Sequence, residues 1–277
     1  MTESPAHFRP IGTELLQPTH FAQSHWGPDH LNGPAVVGLA AHALETAYGL
    51  VDFLPARLTV DLFRAARSLP TSTRVSLVRD GRRVRNSECE IIQDGTAVAK
   101  ATLVQYRISE PPRGREWSGK TDFMPPEGIE LGRTHDVAPH IGSTDAGWSR
   151  AIADHQNASR KRFITRALTV VAGQPNSPFV RAAMAAEGTS LVTNLGTAGV
   201  GYINGDLTMA LARLPEDDWI GVQADAHWAV GGVAVGTSTL CDGRGAFGSG
   251  LITAIANPAA QIDFTNDPFP ERTRRKT

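Results

Sequence analysis

The side chains with the widest chemical range in this sequence include nine histidines and two cysteines, and their spacing decides which chemistry they support. No two histidines form a His-x-x-x-His or His-Glu-x-x-His pattern, and no serine lies in a Gly-x-Ser-x-Gly elbow, so zinc-dependent and serine-nucleophile hydrolysis lack their signatures. His42 falls inside an expected helix without a nearby acid. His227 precedes a Gly-Gly turn, and His30 sits just ahead of a helix start, where it could reach the mouth of a site or serve only structure. Cys89 and Cys241 are far apart in strand-like segments with no CxxC partner, which reads as two reduced, non-catalytic thiols. Gly243, Gly245, Gly248 and Gly250 follow a strand pattern rather than a strand-to-helix junction, so turns and close packing explain them better than phosphate cradling. The run Arg79-Asp-Gly-Arg-Arg83 could meet phosphates by charge-assisted hydrogen bonds, but it reads first as an exposed hairpin tip.

Whatever site exists must be held by a repeated set of elements. One helix is expected from Pro34 to Glu45, capped by Asn32 with Gly33 and Pro34 in its first turn, and a second from Pro178 to Glu187, capped by Ser177 and closed near Gly188. After each helix come alternating apolar segments punctuated by Asp-Gly or Gly-Gly, the pattern of antiparallel hairpins. From Leu58 to Asp94 is 36 residues and from Leu207 to Asp242 is 35, with Leu58-Thr-Val answered by Leu207-Thr-Met, which indicates an internal duplication. Strands expected over Phe8–Thr19 and Lys161–Val171 open the two units. The organisation expected is a first unit over 1–108, a Pro- and Gly-rich linker over 109–147, a second unit over 148–265 and a basic tail over 266–277. The fold class is α+β, a long helix of small residues packed on a curved antiparallel sheet, twice.

The 277 residues are 41% hydrophobic and 20% charged with a formal charge of −1, an ordinary globular composition. A near-neutral balance gives no reason to expect nucleic acid or membrane as a partner, and without a long apolar run or signal segment the expected location is cytoplasmic.

These features resemble the acyl-CoA thioesterase II-like family of double hotdog proteins, especially its actinobacterial thioesterase-like branch. The resemblance spans nearly the whole chain and rests on Trp26-Gly27-Pro28, His30-Leu-Asn-Gly-Pro34, Arg57-Leu-Thr-Val-Asp-Leu-Phe-Arg64, Val78-Arg-Asp-Gly-Arg-Arg83, Ser177-Pro178, Ala185-Ala-Glu187, Ile203-Asn-Gly-Asp-Leu-Thr208 and Trp219-Ile220. It implies an acyl thioester as substrate, no cofactor, no metal, and a site between the halves, with homo-oligomers open. It also implies hydrolysis by a water deprotonated beside the carbonyl, with N–H donors for the oxyanion. The start of the first helix, at Asn32 and Gly33, supplies candidate donors for substrate, or merely a helix cap. The family's helix carboxylate falls on Glu187, a general-base candidate or else a solvated helix end. Its Gln falls on Thr253, which can orient water, and its Thr falls on Ile203, which cannot. Asp206, if turned inward, would supplement Glu187; after Gly205 it reads first as a turn residue. The alternative of another class is a catalytically silent acyl-CoA binder. A hydratase of related fold is disfavoured because Asp29 and His30 are adjacent rather than four apart.

Overall fold

The computed structural model describes residues 5–127 and 139–266; the middle of the expected linker and the expected tail beyond residue 266 lie outside the described residues. The first half runs β1 (Ala6–Ile11), β2 (Leu15–Pro18), α1 (Gly33–Tyr48), β3 (Phe53–Leu62), β4 (Thr71–Asp80), β5 (Val84–Gln93) and β6 (Thr96–Arg107). The second runs β7 (His140–Ser143), β8 (Gly147–Ser149), β9 (Lys161–Arg166), β10 (Thr169–Val171), α2 (Pro178–Ala186) and α3 (Gly188–Asn194), then β11 (Leu195–Gly196), β12 (Gly199–Val200) and β13 (Tyr202–Asn204). It ends with β14 (Asp206–Leu211), β15 (Trp219–Val230), β16 (Val233–Asp242) and β17 (Gly245–Ala256).

All strands but β11 and β12 join one sheet, ordered β10-β1-β2-β4-β5-β6-β3-β14-β17-β16-β15-β9-β7-β8, with β13 also on β17. The halves meet edge to edge where β3 pairs antiparallel with β14, Thr59 opposite Thr208, so the two Leu-Thr segments of the repeat lie side by side. The expected strand over Lys161–Val171 is in fact two, because β9 pairs with β15 while β10 crosses to pair parallel with β1 of the first half. Positive φ at Asp94-Gly95 and at Gly231-Gly232 gives the tight hairpins expected there. Asp80-Gly81 and Asp242-Gly243 do not use it; the Asp242 carboxylate instead accepts two bonds from Arg213 at 2.6 Å.

On the inner face, Leu58, Val60, Leu103, Leu207, Met209 and Ile252 are fully buried against the helices. The helices α1 and α2 lie antiparallel: Gly33 meets Glu187, Gly38 meets Met184, and at the far end Ser177 Oγ donates to Glu45. A Cβ at Gly38 would stand 2.8 Å from Met184 Cγ, so its absence permits this approach.

The halves differ in their helices. The first has one helix of 16 residues, whereas the second has two, of nine and seven residues, with Glu187 at the joint. Gly188 does not close the helix as expected but starts α3. The Thr189 hydroxyl donates to the Ala186 carbonyl at 2.6 Å, satisfying a backbone acceptor that the break would orphan. α3 then settles into the sheet through glycines: a Cβ at Gly250 would lie 2.2 Å from Thr189 Oγ1, and one at Gly236 2.3 Å from Thr193 Oγ1. Gly250→Ala should therefore lower the urea midpoint at unchanged m-value, costing ~1–3 kcal/mol by overpacking. An unchanged midpoint would show that α3 is free to shift.

Candidate active site

The helix start read from Asn32-Gly33-Pro34 forms as expected, and it commits the Asn32 side chain to structure. Asn32 Oδ1 accepts from Ala35 N–H at 2.9 Å, while its Nδ2 donates to the carbonyls of Phe21 (3.0 Å) and Gln23 (3.3 Å), which fixes the approach of the chain to α1. Pro34 has no N–H. Among the described residues the Gly33 N–H has no protein partner, which leaves it as an available donor at the positive end of a 16-residue helix.

Glu187 comes from the other half and ends against Gly33. A Cβ built on Gly33 would stand 2.1 Å from both Cδ and Oε1 of Glu187, so only glycine leaves room for the carboxyl group here. Asn204 Nδ2 donates to Glu187 Oε1 at 3.3 Å. Burial pushes the Glu187 pKa up from an ordinary 4.5 to about 7, and the Asn204 hydrogen bond opposes the rise. The carboxyl group lies deep in the molecule, yet the residue keeps part of its surface open, as a group that must exchange a proton with water requires. A carboxyl group poised near neutrality beside an N–H donor at a helix start can accept a proton from water while the donor stabilises developing negative charge.

The other sequence-derived candidates lie elsewhere. Asp206 and Thr253 do meet: Asp206 Oδ1 accepts from Thr253 N–H at 2.8 Å, and the Thr253 hydroxyl donates to Oδ2. They meet on the outer face of the sheet, because Leu207, Ile252 and Ala254, the buried members of the alternation, point to the helices. Asp206 is therefore not turned inward toward Glu187. The pair instead ties the start of β14 to β17. Ile203 pairs with Ile255 beside them. His42 bonds Gln174 at 2.9 Å, and Arg79–Arg83 forms the exposed tip between β4 and β5. Among the described residues no group of three His, Cys, Asp or Glu is disposed to hold a metal ion, and no helix is long and apolar enough to cross a membrane.

Two residues near Glu187 were not singled out by the sequence. Asn204 lies on β13, and its Oδ1 accepts from Ser190 Oγ of α3 at 3.1 Å. The available signal was the Ile203-Asn-Gly-Asp206 segment, which alone reads as a turn.

Solved structures share this architecture. A Thermobifida fusca protein assigned as a thioesterase II is 14% identical, with 92% of this chain and 99% of that chain covered at a TM-score of 0.67. A hot dog fold protein of unknown function from Alicyclobacillus acidocaldarius is 14% identical over 90% and 95% of the two chains, with a TM-score of 0.65. An acyl-CoA thioesterase II from Mycobacterium marinum is 14% identical over 90% and 95%, with a TM-score of 0.58. At such identities these likenesses establish the class of fold, the hotdog. The sequence itself goes further: residues 22–106 match the acyl-CoA thioesterase N-terminal domain and residues 110–250 the acyl-CoA thioesterase C-terminal domain, and the chain belongs to that family. No curated protein matches it.

Proposed function

We propose that this protein hydrolyses acyl-CoA thioesters with Glu187 as general base and the Gly33 N–H as the donor that binds the carbonyl oxygen. The observation that carries the reading is the packing of a carboxyl group from one half against Gly33 in the first turn of the helix of the other. Glu187 takes a proton from water as the water oxygen attacks the thioester carbonyl carbon. The carbonyl oxygen becomes an oxyanion at Gly33 and at the positive end of α1. Collapse of the tetrahedral intermediate breaks the C–S bond, and the thiolate leaves with the proton that Glu187 holds, giving a carboxylic acid and free thiol. The chemistry calls on water, a carboxylate and backbone donors, and on no cofactor. In this reading Asp206 and Thr253 take no part in the reaction, and Asn32 acts on substrate only by setting the position of α1.

The layout supporting the reading is a double hotdog, with a first unit over 1–108 and a second over 148–265, the last part of the stretch 109–147 already joining the second unit through β7 paired with β9. A cytoplasmic location fits two buried free cysteines.

The test is the pH dependence of kcat/KM for acyl-CoA hydrolysis. Glu187 must be ionised to act, so the rate should rise with pH, half-maximal near the pKa of about 7, and level off above it. A profile flat from pH 5 to 8 would remove a carboxyl group of this kind from the mechanism.

A further inference from the structure

We infer that Asn204, locked by Ser190, is a positioning residue that fixes which oxygen of the Glu187 carboxyl group works. The inference rests on Glu187 being the base. Its ground is that both hydrogens of the Asn204 amide and its oxygen have partners. One Nδ2 hydrogen goes to Glu187 Oε1 at 3.3 Å and the other to the Asp206 carbonyl at 3.2 Å, while Oδ1 accepts from Ser190 Oγ at 3.1 Å. A flipped amide would aim its oxygen at the Asp206 carbonyl and at Glu187 Oε1, so the present orientation is favoured. The Ser190 hydroxyl gives its single hydrogen to Asn204 Oδ1, and Asn194 Nδ2 stands 3.5 Å from Ser190 Oγ on the other side. Asn194 is 5% exposed, which closes the far end of this relay to bulk solvent.

The consequence is an asymmetric carboxyl group. Oε1 accepts from Asn204 and lies against the space that a Cβ on Gly33 would fill, whereas among the described residues no donor is bonded to Oε2, which is the oxygen left to take the proton from water. The groups packed on Glu187 carry no charge: Gly33 comes from α1, Asn204 from β13, and Phe163 of β9 lies against the adjoining Gly188. The carboxylate of Asp206 is turned away to Thr253. Removing the Asn204 bond thus leaves burial unopposed, and the carboxyl group should hold its proton to higher pH.

The experiment compares Asn204→Ala, Ser190→Ala and Ser190→Thr with wild type by kcat, KM and pH profile. Beside these, the Glu187 carboxyl group is titrated by carbon-13 NMR, its signal assigned by its loss in Glu187→Gln. Asn204→Ala and Ser190→Ala should lower kcat by about 10- to 100-fold with little change in KM and should move the NMR midpoint above about 7. Ser190→Thr, which keeps the hydroxyl, should retain the wild-type midpoint. A midpoint unmoved in both alanine variants, at whatever rate, would overturn the inference, and so would failure of Ser190→Thr to rescue it. A moved midpoint with a rate that ignores it would instead keep the contact and strike the assignment of Glu187 as base.

Discussion

Glu187→Gln is expected to lower kcat for acyl-CoA hydrolysis by ~10²–10⁴-fold while leaving binding of the thioester largely intact. The amide matches the carboxyl group in size, so it still fits against Gly33, but it cannot accept the proton of the attacking water. The oxyanion donor remains and sustains the residual rate. The same substitution should raise stability at alkaline pH. The folded pKa of about 7 lies above the ordinary 4.5, so the folded protein binds the proton more tightly than the unfolded chain. The group's contribution to stability is therefore full below pH 4.5 and is lost as pH rises through about 7, a change on the order of 3 kcal/mol. Glutamine does not ionise and escapes that loss. Above pH 7 the variant should melt later than wild type, the behaviour of a residue held against its own solvation for the sake of chemistry. A variant less stable than wild type at pH 8, with unchanged turnover, would mark Glu187 as purely structural.

Gly33→Ala is expected to be as damaging to turnover as loss of the base, for a steric reason. The added methyl would fall 2.1 Å from Glu187 Cδ and Oε1, so either the carboxyl group swings off Asn204 or α1 shifts from α2. Overpacking of this kind costs ~1–3 kcal/mol, partly offset by the better helix propensity of alanine. The two sites should be strongly coupled. In a Glu187→Ala background the space is vacant, and Gly33→Ala should then cost little or even stabilise, giving an interaction energy of ~1–3 kcal/mol in a double-mutant cycle measured by denaturation. Additive effects would mean that the carboxyl group and the helix start are not in contact.

The two predictions use one residue that was legible in the sequence by its physics and one that was not. Asn32-Gly33-Pro34 announces a helix start through capping chemistry alone, and the structure realises it with the Asn32 side chain spent on Ala35, Phe21 and Gln23. Glu187 has no local signal beyond its place near the end of an alanine-rich helix, and only the family resemblance singled it out. Its contact with Gly33 joins residues 154 positions apart (187 − 33), which no periodicity reports. Thr253 was singled out only by the family resemblance, and Asp206 after Gly205 read first as a turn residue; alternation could place neither, because β17 is apolar on both faces, with Leu251 and Ile255 exposed while Ile252 and Ala254 are buried. Ser190 was hidden by Gly188, read as a helix stop where the structure uses it to start α3. The duplicated spacing, by contrast, foretold the repeated hairpins, while the edge-to-edge joining of the halves was implied by the family resemblance and its register, Thr59 opposite Thr208, is visible only in the structure.

Release of free thiol from acyl-CoAs of graded chain length, by wild type beside Glu187→Gln, with binding of a non-hydrolysable acyl-CoA thioether measured on both, bears most directly on the claim that Glu187 drives thioester hydrolysis. Turnover on at least one chain length, collapsing in the variant while the thioether still binds, is the result this account requires. Tight binding of the thioether with no thiol released at any chain length would contradict it and leave a silent acyl-CoA binder.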